Sequence, residues 1–467
     1  MPDRPPNVVV FFTDQQRHDT TGLHGCPLGL TPNFDRVAAA GTHLCHHTTC
    51  VPVCGPARAC LQTGTYTHRN GVYRNGIAPW ASGLPTVAEQ FRDAGYATGY
   101  IGKWHLSDSG DHGPVPADQR GGYEYWLAAN ALEHTSSDYR TRLWDADNQP
   151  HDLPGYRVDA LTDAAIRFIS EPRDRPFFLT TSYLEPHHQN HVDDYPPPDG
   201  YRELFAGRWT PPDLAALPTH DPALSRPESA IGGSTYAHLG GYFGMVKRLD
   251  EAFGRTMDAL KSLGLLDNTV VVFTSDHACH FKTRNAEYKR SCHDSSIRTP
   301  GLITGPGFIG GGQRREPVSL LDIPPTILDA AGIDIPDTMQ GRSVLRLLRG
   351  QAPDWPTDAY VQIGDGQPGR AIRTGRWKYA VHVPDEHGTN QPTYDTYHET
   401  HLYDLLYDPH ELTNLVAAES HAVVRDACRQ RLLARMAEAG EPTPTIVPPA
   451  EMTRRGQREV TPEEAVA

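Results

Sequence analysis

Four mainly apolar runs, each followed within two residues by a polar side chain, restrict the possible folds of this chain more than any other feature. They occupy residues 8–13, 97–101, 176–183 and 269–275. Apolar runs of this length, without polar alternation, are typical of strands buried on both faces. Helical patterns separate the runs, which favours a parallel arrangement covered by helices. We therefore predict an α/β fold with a large mixed, mostly parallel sheet sandwiched by helices.

Helix signals lie between these runs. Residues 31–41 begin with a Thr-Pro pair and end at a glycine, and residues 236–263 carry apolar side chains at helical spacing. Residues 108–155 are rich in Gly, Asp and Pro and are interpreted as an insertion around the rim of a site. Residues 193–234 are rich in Pro and Gly and predict an irregular loop.

The sequence pattern changes near residue 355. Residues 370–383 alternate like antiparallel strands around a Thr-Gly turn. We therefore expect a large α/β domain at residues 1–354 and a smaller C-terminal α+β subdomain at residues 355–440. The Pro- and Glu-rich residues 441–467 are expected to form a flexible tail.

Charge and cysteine usage exclude several classes of protein. The net charge of −14 argues against binding to nucleic acid or to an anionic membrane surface. No run of eighteen apolar residues exists, so no transmembrane helix is expected. The first apolar run is too short for a signal-peptide core, which favours a cytoplasmic protein. The eight cysteines show neither zinc-type pairs nor a disulfide framework and are expected to be reduced.

Polar residues that follow buried parallel strands meet at one edge of the sheet. Asp14 and Gln15 follow the first run, and Asp276 and His277 follow the last. An aspartate at a strand end is by itself more often a turn or capping residue. Taken together, however, the two carboxylates, the imidazole and the Gln15 amide oxygen suit Ca²⁺ or Mn²⁺ better than structural zinc.

The segment at residues 50–64 contains Cys54-Gly-Pro-Ala-Arg58. A thiol just before a helix N-terminus faces free N–H groups that favour an anion, and the Arg58 fork suits an oxyanion. A buried cysteine in an ordinary turn and helix explains this pentapeptide equally well. A cationic set would neutralise a transferred sulfuryl or phosphoryl group if its members converge: Arg58, Lys103, His105, His187 and Lys289.

These motifs resemble, in order and approximate spacing, those of the type I sulfatases, a family within the alkaline phosphatase superfamily. The resemblance covers roughly residues 6–435, including residues 102–106 and 289–300. It implies an alkaline phosphatase-like fold. It also implies that Cys54 is oxidised to formylglycine (3-oxoalanine) by a formylglycine-generating enzyme, and that one divalent cation is bound. The implied metal ligands are Asp14, Gln15, Asp276, His277 and the modified Cys54, with Ca²⁺ preferred and Mn²⁺ as the alternative.

The resemblance also implies catalytic roles. The hydrate of the formylglycine is the nucleophile that attacks sulfur, and Arg58 and Lys103 steady its oxygens and those of sulfate. Lys289 and His187 contact the sulfate and protonate the leaving alkoxide. His105 removes a proton from the second hydroxyl, so that sulfate is expelled and the aldehyde returns.

Three positions depart from the common family pattern. Gln15 stands where Asp is frequent, His277 where Asn is frequent, and Ala57 where Ser is commoner. The resemblance links the first two departures to choline sulfatases and phosphonate monoester hydrolases. A phosphonate monoester or phosphodiester hydrolase is therefore the alternative enzyme. A non-catalytic anion- or glycan-binding protein, with Cys54 left as a thiol, is the alternative outside catalysis.

The expected substrate is a sulfate ester of a carbohydrate or another small molecule. This expectation is based on polar residues near the motif ends, which would otherwise be solvated loop residues. The candidate substrate contacts are His188, His191, His280, Arg284 and Asn285, together with Asn190 and Lys282.

Overall fold

The structure is a computed structural model that describes residues 4–217, 235–285, 287–384, 388–452 and 460–466. These residues form two β-sheets, one of eleven strands and one of five. None of the helices among them is both long and apolar enough to cross a membrane.

The large sheet contains the four apolar runs as its central strands. Its strands in chain order are β1 (Asn7–Thr13), β2 (Thr42–Thr48), β3 (Ala97–Lys103), β4 (Tyr125–Ala129), β5 (Ser136–Ser137), β6 (Arg140–Asp145), β7 (Pro150–Leu153), β8 (Phe177–Ser182), β9 (Thr269–Ser275), β10 (Leu302–Thr304) and β11 (Gly312–Ser319). The spatial order is β11-β2-β10-β9-β1-β8-β3-β4-β6-β5, with β7 paired to β6. Strands β9, β1, β8 and β3 are mutually parallel and buried throughout. The predicted mixed, mostly parallel sheet is confirmed.

Helices cover both faces of this sheet. In chain order they are α1 (Pro32–Ala40), α2 (Cys54–Thr63), α3 (Thr67–Asn70), α4 (Val87–Asp93), α5 (Leu132–Thr135), α6 (Arg157–Ser170), α7 (Tyr201–Phe205), α8 (Pro212–Ala216), α9 (Thr235–Ser262), α10 (Asp294–Ile297), α11 (Ile323–Ala331) and α12 (Val344–Leu348). Side chains of β1 alternate between two apolar layers, as a pleated strand requires. Val8 and Phe12 join the layer with α2, α4 and α11, and Val9 and Phe11 join the layer with α1, α6 and α9.

The smaller sheet begins at Asp358, close to the expected boundary after residue 354. Its strands, in sequence and in space, are β12 (Asp358–Ile363), β13 (Gly369–Thr374), β14 (Trp377–His382), β15 (Thr396–Asp404) and β16 (Thr445–Val447). Helix α13 (Ala422–Ala439) packs on it through an apolar core that includes Leu432 and Met436. A short helix, α14 (Pro462–Ala465), lies near the C-terminus.

Part of the expected flexible tail, residues 441–467, is built into this subdomain. The Glu441 carboxylate is buried and pairs with the Arg370 guanidinium at 2.8 Å. Strand β16 then pairs in parallel with β15. Burying Arg370 requires a counter-charge, and Glu441 supplies it from beyond the predicted end of the subdomain.

Two other segments have more regular structure than the sequence predicted. The insertion at residues 108–155 holds β4 to β7 and α5, so it extends the large sheet as well as lining the site. The loop predicted at residues 193–234 contains α7 and α8, and residues 218–234 lie outside the described part of the chain.

Candidate active site

The carboxyl ends of the central strands and the first residue of α2 meet at one cavity. Asp14 follows β1, Lys103 ends β3 and Asp276 follows β9. Cys54 opens α2, a helix whose ten residues are all buried. The cavity has a volume of about 290 Å³. Of the predicted site residues, those lining it are Gln15, Cys54, His105, His187, His188, Asn190 and Lys289.

The Arg58 guanidinium joins the ends of four strands, β1, β3, β8 and β9. Its Nη2 donates to Asp14 at 2.9 Å and to Asp276 at 3.2 Å. Its Nη1 donates to the Lys103 carbonyl at 2.9 Å and to the Ser182 hydroxyl at 2.7 Å. Arg58 and both carboxylates are buried, so the positive guanidinium and the negative carboxylates stabilise one another's charge. Arg58 therefore organises the carboxylates from behind the cavity.

Lys103 links the Asp14 carboxylate to Glu133, a residue that the sequence did not indicate. Its Nζ donates to Asp14 at 2.8 Å and to Glu133 at 2.9 Å. Burial acts to raise the pKa of Asp14, but Lys103 and Arg58 help to hold that pKa at about 2. Glu133 comes from α5, and a single glutamate in a polar insertion carries no recognisable signal.

The thiol of Cys54 lies within a cluster of nitrogen atoms. Lys289 Nζ is 2.8 Å from its sulfur, and His277 Nε2 is 3.2 Å away. Burial acts to raise the pKa of this thiol, but Lys103 and Lys289 outweigh burial and place it well below its usual range. A side-chain hydrogen bond from His105 acts in the same direction. The site thus stabilises negative charge at position 54.

Backbone contacts fix the orientation of two histidines. His277 Nδ1 lies 3.0 Å from the carbonyl of Ala278, and His187 Nδ1 lies 2.6 Å from the carbonyl of His188. A carbonyl only accepts, so we assign the ring proton of each to Nδ1. Each Nε2 then presents a lone pair to the cavity, where Lys289 Nζ lies 3.1 Å from His277 and 3.2 Å from His187.

The predicted metal ligands fit a divalent cation. Asp14, Cys54, Asp276 and His277 offer four ligand atoms within 4.8 Å of one another. The Gln15 side-chain oxygen is buried without a hydrogen-bond partner, while its Nε2 donates to the Cys279 sulfur at 3.1 Å. Carboxylate, amide and imidazole groups are ligands for Ca²⁺ or Mn²⁺.

Several predicted substrate contacts lie elsewhere. The Arg284 guanidinium donates to the carbonyls of His410 and Glu411 and lines a separate cavity of about 330 Å³. His191 is exposed and pairs with Gln189 at 3.0 Å. Lys282 Nζ is buried, 5.1 Å from the centre of the Tyr288 ring. None of Arg284, His191 and Lys282 is among the residues that line the site within the described structure.

His280 and Asn285 support the site from outside the cavity. His280 is buried, with Nε2 3.0 Å from the Lys289 carbonyl, and Asn285 Nδ2 donates to the same carbonyl at 3.0 Å. Both side chains therefore hold the backbone that presents Lys289. A polar residue near a motif gives no indication of whether it faces the ligand or the loop.

Asn75 is a further residue that the sequence did not indicate. Its side-chain oxygen accepts the backbone N–H of Gly55 at 2.9 Å, and it lines the cavity. It thereby satisfies one of the free donors in the first turn of α2 and fixes the turn next to Cys54.

The comparisons with known proteins agree with this geometry. The family described as Sulfatase matches residues 6–333, and N-sulphoglucosamine sulphohydrolase, C-terminal, matches residues 287–438. The chain is 29% identical to an ulvan-active sulfatase of Formosa agariphila, covering 93% of this chain and 82% of that protein. It is 23% identical to an N-acetylglucosamine-6-O-sulfatase of Bacteroides thetaiotaomicron, covering 89% and 84%.

A solved structure of a hydrolase with another name shows the same fold. The phosphonate monoester hydrolase of Agrobacterium radiobacter has a TM-score of 0.71 and 26% identity, covering 93% of this chain and 96% of that one. Fold and site together define a hydrolase of the alkaline phosphatase superfamily. Within this superfamily, the chain belongs to the sulfatase family and is a sulfuric ester hydrolase.

Proposed function

We propose that the protein is a formylglycine-dependent sulfatase that hydrolyses a sulfate ester of a carbohydrate. The nucleophile is the hydrate of formylglycine at position 54, produced by a formylglycine-generating enzyme. One divalent cation, Ca²⁺ with Mn²⁺ as the alternative, belongs to the site. The observation that carries the proposal is the position of Cys54 among the metal-ligand set and beside Lys289 Nζ.

The ligand set consists of Asp14, Gln15, Asp276, His277 and the side chain at position 54. When bound, the cation supplies Lewis acidity, which makes a hydroxyl at position 54 a stronger nucleophile near neutral pH. The low pKa of the unmodified thiol supports this assignment, because the same surroundings stabilise an anionic oxygen.

The cations divide into two groups. Arg58 and Lys103 donate to the carboxylates of Asp14, Asp276 and Glu133, so their main role is to hold these groups in place. That they also steady the formylglycine and sulfate oxygens, as the family resemblance implies, stays a prediction. Lys289 faces the cavity directly, and its ammonium group is placed to neutralise charge on the sulfate.

Two imidazoles supply the proton steps. His105 lines the cavity together with position 54, so it is the candidate to remove the proton from the second hydroxyl. His187 Nε2 lies 3.2 Å from Lys289 Nζ, so Lys289 and His187 together can deliver a proton to the leaving alkoxide. Sulfate then departs as the carbonyl of formylglycine forms again.

Two features favour a sugar ester. One relative is an N-acetylglucosamine-6-O-sulfatase. The cavity mouth presents hydrogen-bonding side chains, including Asn75, His134 and Asn190. The phosphonate monoester hydrolase neighbour keeps that activity as the second candidate.

Two measurements test the proposal. Peptide mass spectrometry of residues 50–64 from the native host should show the aldehyde at position 54. Parallel kinetics should show that an aryl sulfate is hydrolysed with a higher kcat/KM than the matched aryl phosphonate monoester. An unmodified cysteine in active protein would contradict the nucleophile, and a phosphonate preference of orders of magnitude would favour the second candidate.

A further inference from the structure

Four carboxylates outside the metal-ligand set line the catalytic cavity. We call these residues the acidic wall: Asp111, Glu133, Asp193 and Glu287, all of which line the cavity. Asp111 is exposed, Asp193 and Glu287 are half-buried, and Glu133 is buried. The wall therefore extends from the mouth of the cavity to its floor.

One carboxylate oxygen of Glu133 accepts no hydrogen bond from the described residues. It is only 5% exposed, its Oε1 accepts from Lys103 Nζ at 2.9 Å, and its Oε2 is buried without a hydrogen-bond partner. Burial acts to raise the pKa of Glu133, but Lys103 and His105 lower it far below its usual range. The group is thus an ionised carboxylate. A buried acceptor without a partner is costly, so this oxygen is suited to a donor from a bound ligand.

Arg290, which lines the cavity together with Lys289, does not cancel the charge of the wall. Arg290 Nη1 lies 3.2 Å from Glu287, and its Nη2 lies 3.2 Å from Asp365. Two carboxylates therefore share one guanidinium, which leaves this part of the mouth with a net negative charge.

The neighbouring histidine adds no positive charge near neutral pH. Burial lowers the pKa of His188 to about 3. Its Nε2 lies 3.0 Å from Asp193 and 3.2 Å from the Tyr288 hydroxyl, so the neutral ring contacts the wall without neutralising it. The Lys282 ammonium acts on Asp193 and Glu287 from behind Tyr288 and is not among the cavity-lining residues.

We propose that the acidic wall selects the alcohol part of the substrate. It accepts a singly sulfated alcohol that is otherwise neutral or cationic, with hydroxyl or ammonium donors toward Glu133, and it rejects a second sulfate or a carboxylate. The volume of about 290 Å³ lies at the low end of small-molecule sites, which suits a single small unit such as one sugar residue. This inference rests on the proposed sulfatase function.

Three phenyl sulfates test the inference. They carry an aminomethyl, a hydroxymethyl or a carboxyl group at the meta position, so they differ mainly in charge. Wild-type kcat/KM should be highest for the aminomethyl ester and lowest for the carboxyl ester. Asp111→Asn and Glu287→Gln should each raise the carboxyl-to-aminomethyl ratio of kcat/KM by about tenfold at low salt, and less at high salt.

Asp118→Asn is the matched control, because Asp118 is an exposed carboxylate of the same insertion that does not line the cavity. It should leave the ratio unchanged. Equal ratios in wild type and both wall variants would overturn the inference, as would a wild-type preference for the carboxyl ester. Failure to hydrolyse any of the three esters would overturn the proposed function itself, so the two failures are distinguishable.

Discussion

Lys289 Nζ lies 2.8 Å from the sulfur of Cys54, although 235 residues separate the two along the chain. Cys54 is fixed by the first turn of a buried helix, and Lys289 by a loop whose backbone His280 and Asn285 hold. An ammonium group at this distance favours negative charge at position 54. The pairing supports the proposal that Cys54 is the precursor of the nucleophile.

Replacement of Cys54 tests whether this residue is needed for catalysis or for packing of the core. Cys54→Ala should abolish hydrolysis of 4-nitrophenyl sulfate while the thermal midpoint of unfolding stays close to that of wild type. Cys60→Ala is the matched control, since Cys60 is buried in the same helix but does not line the cavity. It should keep its activity per folded molecule. If Cys54→Ala failed to fold, or if it folded and still hydrolysed the ester, a catalytic role for Cys54 would be contradicted.

Arg58 is expected to be essential for stability when the metal is absent. Arg58→Met leaves Asp14 and Asp276 buried without their shared guanidinium, so the free energy of unfolding in EDTA should fall by about 3–5 kcal/mol. Added Ca²⁺ should recover part of this loss by neutralising the same carboxylates. Denaturant titrations with and without Ca²⁺ measure both effects.

The control for Arg58 is Arg36→Met, which removes an exposed guanidinium. It should change the free energy of unfolding by less than about 0.5 kcal/mol. If Arg58→Met were as stable as this control in EDTA, the guanidinium would not hold the two carboxylates as proposed.

The sequence predicted the structure correctly where the type of residue alone decides where that residue lies. Uninterrupted apolar runs predicted the buried central strands, and the polar residues after them predicted which strand ends meet. It was uninformative where a contact depends on side-chain direction: Arg284 turns to backbone carbonyls, whereas Glu133 turns into the cavity. Glu441 was missed for a related reason, because its partner Arg370 is distant in the chain.

Gln15 and Gln16 offer a matched pair for testing the metal site. Gln15 Oε1 is buried without a partner beside the ligand set, whereas Gln16 bonds to Thr13 and Thr20. Gln15→Ala should weaken Ca²⁺ binding at least about tenfold, or ~1.4 kcal/mol, in isothermal titration calorimetry. Gln16→Ala should leave the dissociation constant within about twofold. Equal affinities in the two variants would exclude Gln15 as a ligand.

His47 on β2 should make the fold sensitive to mild acid. Burial lowers the pKa of His47 to about 3, while an unfolded chain has an imidazole pKa near 6.5. Between these values the unfolded state binds a proton that the native state does not, so stability falls as the pH falls from about 6.5 toward 3. The titration of His47 alone should lower the free energy of unfolding at pH 5 by about 2 kcal/mol relative to pH 8.

The test compares the pH dependence of unfolding in wild type and His47→Gln. The glutamine can keep a hydrogen bond to the Thr299 hydroxyl, which lies 2.8 Å from His47 Nδ1, but it cannot titrate. The drop in the free energy of unfolding between pH 8 and pH 5 should therefore be smaller in the variant by about 2 kcal/mol. The comparison uses the change with pH, so a general loss of stability in the variant does not affect it. Parallel curves for the two proteins would show that His47 titrates alike in the native and unfolded states.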